Sequence, residues 1–103
     1  MINASLHSQE NNIYVAGELT FESVSELVKQ GLLLIEKKNN ISVDLRDVTL
    51  CNSAGLALLI EWLSHAHKLN KTISFNNVPQ QLLDIAKVSD LLNLLGFVDN
   101  SLG

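Results

Sequence analysis

The chain has one cysteine and one proline among 103 residues, no excess of basic charge and no apolar run of membrane-spanning length. Each shortage removes a class of protein. Cys51 is alone and so has no intramolecular disulfide partner, which fits a reducing compartment. A net charge of −4 leaves no basic field to neutralise phosphates, so no nucleic-acid partner is expected. Lys37-Lys38 and the Lys68/Lys71 pair are too sparse to supply one. They read as cations at helix C-terminal ends, where the macrodipole favours them. The apolar stretches fall well short of the ~20 residues a membrane helix needs. Met1 to His7 has neither the basic start nor the apolar segment of a secretory signal. The expected location is cytoplasmic. Without a basic amphipathic surface, membrane association is expected only through a partner.

Catalytic signals are equally scarce. No GxxxxGK[ST] run is present to cradle a nucleotide's phosphates. His65 and His67 stand two apart on one helix and point to different faces, a poor arrangement for a shared metal. Periodicity puts His67 near the core-facing stripe and His65 on the wetter side. Asp44, Asp47 and Glu18 could approach one another near strand ends, yet their spacing identifies neither an acid–base pair nor a nucleophile and its base. They read as solvated carboxylates. Cys51 reads as a small buried apolar residue. No catalytic residue, metal or cofactor is expected, and the chain is not expected to be an enzyme.

The composition, 47% hydrophobic and 17% charged, is that of a folded globule. Its length suits one domain over residues 1–103 with a single modest core. No linker, repeat or low-complexity tract divides it. Alternation at Ala4-Leu6 and Ile13-Val15 predicts two strands around a turn at Glu10-Asn11-Asn12. Gly17 to Thr20 ends the second, and Thr20 is placed to cap the next helix. That helix carries Val24, Leu27, Val28, Leu32 and Ile35 at a 3.6-residue period and stops at Asn39-Asn40. Ile41 to Leu45 predicts a central strand parallel to its neighbour, followed by a short segment from Arg46 to Cys51. A helix runs from Ser53 to about Leu69-Asn70. Thr72 to Phe75 predicts a fourth strand. Pro79 fits the first turn of a third helix, with Leu82, Leu83, Ile85 and Ala86 as its apolar face. Val88 to Phe97 predicts a short helix or turn leading into a final strand or tail. The fold class is α/β, a small mixed sheet with packed helices.

The junction Asn52-Ser53-Ala54-Gly55-Leu56 stands out. Ser53 lies where a strand gives way to a helix, among backbone N–H groups without intrahelical partners and at the positive end of the dipole. One reading is structural, with the hydroxyl accepting from the amide of Gly55 or Leu56 as an N-cap. The other is functional, with Ala54 and Gly55 keeping the site shallow and open to a partner's close approach. A phosphate on Ser53 would sit well at this dipole end and disturb a partner more than the fold. Along the helix, Leu56, Leu59, Ile60, Leu63, Ala66 and His67 form a core stripe. Leu58, Trp62 and Leu69 extend the apolar arc beyond it. Either this second stripe packs on a neighbouring helix, or Leu58 and Trp62 anchor a partner beside Ser53.

These residues also carry a resemblance. Asp44-Leu45, then Val48 and Asn52-Ser53-Ala54-Gly55-Leu56, together with Gly17-Glu18-Leu19 before a helix, resemble the signature of STAS domains. The run from Asn52 to Leu63 is most similar to the free-standing STAS subunits of Mla-type phospholipid ABC transporters. The likeness covers nearly the whole chain. It implies a STAS fold and a non-enzymatic subunit bound to the transporter's cytoplasmic ATPase, peripheral to the inner membrane through that partner. The docking epitope would comprise Asn52, Ser53, Ala54 and Gly55, with Glu18 and Thr20 from the adjacent turn. The alternative it implies is an anti-sigma-factor antagonist that binds a serine kinase and is phosphorylated at Ser53. Two departures from the pattern are Asn52 and Thr20, where relatives often carry Asp.

Overall fold

The computed structural model describes residues 4–96. Strands β1 (Ala4–Gln9) and β2 (Asn12–Leu19) form an antiparallel hairpin whose turn, Glu10-Asn11, places Glu10 at φ 54°. Helix α1 (Val24–Lys37), strand β3 (Asn40–Cys51), helix α2 (Ser53–Lys68), strand β4 (Thr72–Asn76), helix α3 (Gln80–Val88) and the one-turn α4 (Leu92–Leu95) follow. The sheet order is β1-β2-β3-β4, with β2, β3 and β4 mutually parallel. Parallel neighbours need a crossover, and α1 and α2 supply the two. This is the mixed sheet with packed helices expected of the sequence.

The core follows from strand alternation. Ile13 and Val15 on β2 and Ile41, Val43 and Leu45 on β3 are buried, while Tyr14, Ser42 and Asp44 between them stay half-exposed. The buried set meets Leu27 and Ile35 of α1, Leu56, Leu59 and Leu63 of α2, and Leu82, Leu83 and Ala86 of α3. Pro79 directly precedes α3 as its cap residue. The expectation of cations at helix ends is met by Lys71. Its Nζ donates to the carbonyls of Ile35 and Glu36 at 2.8 and 2.6 Å, satisfying the end of α1.

Four expectations need correction. First, β3 does not stop at Leu45 but continues to Cys51. Beyond Leu45 its alternation is broken by register shifts against β2, one on each side of Gly17. Gly17 adopts φ +96°, a conformation that costs glycine little, and so absorbs one of these irregularities. Second, Thr20 does not cap α1 with its side chain. A turn intervenes, and Ser23 folds back: its hydroxyl accepts from the Thr20 N–H at 3.0 Å and donates to the Glu18 carbonyl at 2.7 Å. Thr20 contributes its carbonyl, which accepts from the amides of Ser23 and Val24. Third, His67 is exposed and His65 is the half-buried one, its Nε2 lying 3.4 Å from a Glu36 oxygen without hydrogen-bond geometry. Fourth, Ile60 lies only half-buried at the edge of the α2 core stripe. The strand or tail expected from Phe97 onward lies outside the described residues.

Candidate functional site

Because β2 and β3 are parallel, their C-terminal ends lie side by side, with Leu19 opposite Cys51. The Asn52 N–H donates to the Leu19 carbonyl at 3.2 Å. The Gly17–Thr20 segment and the start of α2 therefore sit together at one end of the sheet. The end of β3 is also tied to α3, where Gln81 Oε1 accepts from the Cys51 N–H at 3.1 Å and from its thiol at 3.6 Å. Burial pushes the Cys51 thiol pKa up, only partly offset by a backbone hydrogen bond from Leu82, so the thiol is held protonated.

The cap of α2 is Asn52, not Ser53. The Asn52 side-chain oxygen accepts from the Ala54 N–H at 2.8 Å, and its carbonyl accepts from the Gly55 N–H at 2.9 Å. The chain at Asn52 is extended (φ −126°, ψ −163°), the geometry a cap residue needs. Ser53 is thereby displaced to the first helical position. It is exposed, and its hydroxyl has no hydrogen-bond partner among the described residues. The two positions should behave differently. Asn52→Ala is expected to cost about 1 kcal/mol, as losing an N-cap does, whereas Ser53→Ala should stay within about 0.5 kcal/mol of wild type. Urea unfolding of both variants checks this; equal losses would return the cap to Ser53.

The remaining candidates divide sharply. Asn52 and Ser53 are exposed, and Glu18 and Thr20 are half-buried beside them. Ala54 is 1% exposed and Gly55 is buried, so neither presents a surface to a partner. A Cβ on Gly55 would lie 3.2 Å from Leu19 Cβ and 3.4 Å from Cys51 Cβ, so the glycine lets α2 close on its own sheet. Leu58 and Trp62 are fully buried. Leu58 and Trp62 of the second apolar stripe thus form an internal seam, while Leu69 at its end is 40% exposed. The Trp62 indole packs over Gly31 of α1 and donates to the Val28 carbonyl at 3.3 Å. Neither residue touches a partner in this fold. A recess of about 430 Å³ between α2 and α4, lined by residues including Ile60, His67 and Leu94, contains none of the candidates.

The three carboxylates considered together do not meet as one group. Asp44 stands opposite Tyr14, Asp47 opposite Ala16 and Glu18 opposite Leu50. Partial desolvation pushes the Asp44 carboxyl up. Hydrogen bonds from the Asn77 amide and the Arg46 N–H, with the Arg46 charge, outweigh it and hold the pKa below the ordinary carboxylate range. Among the described residues no group of three His, Cys, Asp or Glu side chains is arranged to hold a metal ion. No helix among them is long and apolar enough to cross a membrane. What sequence reasoning missed at this end is Ser23, which builds the turn, and the exposed apolar residues Phe21 and Leu50. A phenylalanine between Thr20 and Glu22, in a turn that has no core to face, was the available signal.

The chain has relatives in sequence and in fold. A Haemophilus influenzae protein, the intermembrane phospholipid transport system binding protein MlaB, is 31% identical over 106 residues, covering 97% of this chain and 98% of that protein. The anti-sigma-B factor antagonist of Bacillus subtilis is 26% identical over 98 residues, covering 90% of each. Among solved structures, the unphosphorylated anti-sigma factor antagonist SpoIIAA superposes with a TM-score of 0.68 at 13% identity, over 93% of this chain and 99% of that one. An anti-sigma factor antagonist from Mycobacterium paratuberculosis superposes at 0.73, also at 13% identity, over 98% and 88%. At that identity the structural likeness speaks for the fold alone. A family model described as "Mlab, STAS domain" matches residues 2–96. The chain belongs to this STAS domain family.

Proposed function

We propose that the chain is a non-enzymatic accessory subunit that docks on the cytoplasmic ATPase of a phospholipid ABC transporter, at the inner membrane through that partner. The observation that carries the reading is the start of α2, where Ser53 stands exposed with a hydroxyl that the fold does not use. Near full-length similarity to a phospholipid transport system binding protein supplies the partner class. The docking residues are Asn52 and Ser53, with Glu18 and Thr20 alongside. Docking would act by differential binding, stabilising the ATPase conformation that it fits and leaving the chemistry to the partner.

One observation favours a second reading. The exposed Ser53 hydroxyl sits at a helix N-terminus whose capping is already done by Asn52, so a phosphate there would be tolerated by the domain. With the 26% identical anti-sigma-B factor antagonist, this supports a switch bound by a serine kinase and released by phosphorylation.

The test is affinity purification of the tagged chain beside a Ser53→Arg variant. As a surface change, the variant should keep its thermal midpoint within about 4 °C. The expected result is recovery of the ABC ATPase with wild type and its loss with Ser53→Arg. Recovery of a serine kinase, abolished by phosphorylation, would establish the second reading instead. Equal recovery of the ATPase by both chains would remove Ser53 from the interface.

A further inference from the structure

Three stretches of chain meet at the end of the sheet where α2 begins, residues 17–26, 47–55 and 79–84, tied by the Leu19–Cys51 pairing and by the Asn52–Leu19 and Cys51–Gln81 hydrogen bonds. None contains a lysine or arginine. They bring Glu18, Glu22, Glu26 and Asp84 toward that end. Lys37, Lys68 and Lys87 lie at the C-terminal ends of α1, α2 and α3, at the opposite end, joined there by Lys38 and Lys71. The molecule is therefore polarised along its strands. Glu22 and Glu26 also complement the N-terminus of α1, but Glu18 and Asp84 lie outside any first helical turn.

The acidic end also carries exposed apolar side chains. Phe21 is 73% and Leu50 45% exposed. Leu50 is in register with Glu18, and Phe21 stands two residues beyond Leu19, whose carbonyl holds the Asn52 N–H. Both therefore border the Asn52-Ser53 corner. Leu33, Leu69, Val88 and Leu94, the other exposed large apolar residues among the described ones, lie away from it. Isolated exposed leucines are ordinary. An aromatic and a leucine framing one corner, close to the carboxylates of Glu18 and Glu22, are the composition of a contact centre with a charged rim.

Resting on the docking reading above, we infer that the partner's surface is an apolar recess bordered by lysine and arginine. Phe21 and Leu50 enter the recess, and Glu18, Glu22 and Asp84 face the basic border. The apolar pair sets how long the complex lasts. The carboxylates set how fast it forms.

The experiment uses the full chain and the purified ATPase subunit of the phospholipid ABC transporter from the same organism. Association and dissociation rates are recorded at low and high salt for wild type, Phe21→Ser, Leu50→Ser, a Glu18→Gln/Glu22→Gln double variant and Ser53→Arg. Circular dichroism first confirms that each variant is folded. Phe21→Ser and Leu50→Ser are expected to raise Kd about tenfold or more, chiefly through faster dissociation. The double variant is expected to slow association about tenfold at low salt and to flatten its salt dependence. Wild-type affinity in both apolar variants, with binding lost in Ser53→Arg, would overturn the inference and leave the docking reading standing. Faster association after the carboxylates are neutralised would also overturn it. No binding by the wild-type chain would bring down the docking reading and the inference together.

Discussion

Trp62→Ala is expected to remove about 3–5 kcal/mol of stability, a large share of the 5–15 kcal/mol typical of a folded domain. The side chain is fully buried between α2 and α1 and heads the fully buried side chains by volume. Truncation leaves a cavity that two packed helices cannot readily close, and it removes the hydrogen bond from the indole to the Val28 carbonyl. Trp62 is the only tryptophan, so the variant has no tryptophan fluorescence and its urea transition must be followed by circular dichroism. A loss below about 1 kcal/mol, the range of surface substitutions, would show that the indole is not the seam between the helices.

Gly31→Ala should destabilise the protein, although the same change inside an ordinary helix gains up to ~1 kcal/mol. A Cβ at position 31 would fall 2.2 Å from both Cε2 and Nε1 of the Trp62 indole. The ring is rigid and enclosed, so it cannot swing aside as a flexible chain end would. Overpacking of this kind costs about 1–3 kcal/mol. The sign should reverse once the ring is gone: added to Trp62→Ala, Gly31→Ala should recover helix propensity and partly fill the cavity. A double-mutant cycle of denaturation free energies measures this coupling. A stabilising Gly31→Ala in the wild-type background would contradict the close approach of α1 and α2.

Where one segment's pattern carried the information, it was readable. The 3.6-residue spacing of Val24, Leu27, Val28 and Ile35 located α1, and Pro79 marked the start of α3. The parallel arrangement of β2 and β3 followed from the helix between them and brought Gly17–Thr20 beside Asn52. What stayed hidden depended on distant partners. Periodicity could show that Leu58 and Trp62 formed a second stripe, but not that Gly31 had left a slot for it. The second half of β3 was missed because Arg46-Asp47 interrupts the alternation where the register shifts. At the start of α2, Ser53 and Asn52 are both accepted cap residues, and composition could not decide between them. The capping bond from Asn52 is what turned Ser53 outward and left Ala54 and Gly55 facing the core.

That division of labour has an evolutionary consequence. A residue that both caps a helix and meets a partner is held by two demands, and few substitutions satisfy both. Here the capping duty rests on Asn52, and Ser53 has none. Position 53 can accept a different hydroxyl, a charge or a bulkier side chain with little effect on folding, so the stability threshold that removes most mutations scarcely applies there. On the proposed docking role, a substitution at position 53 would change what a partner meets while the helix behind it stays in place.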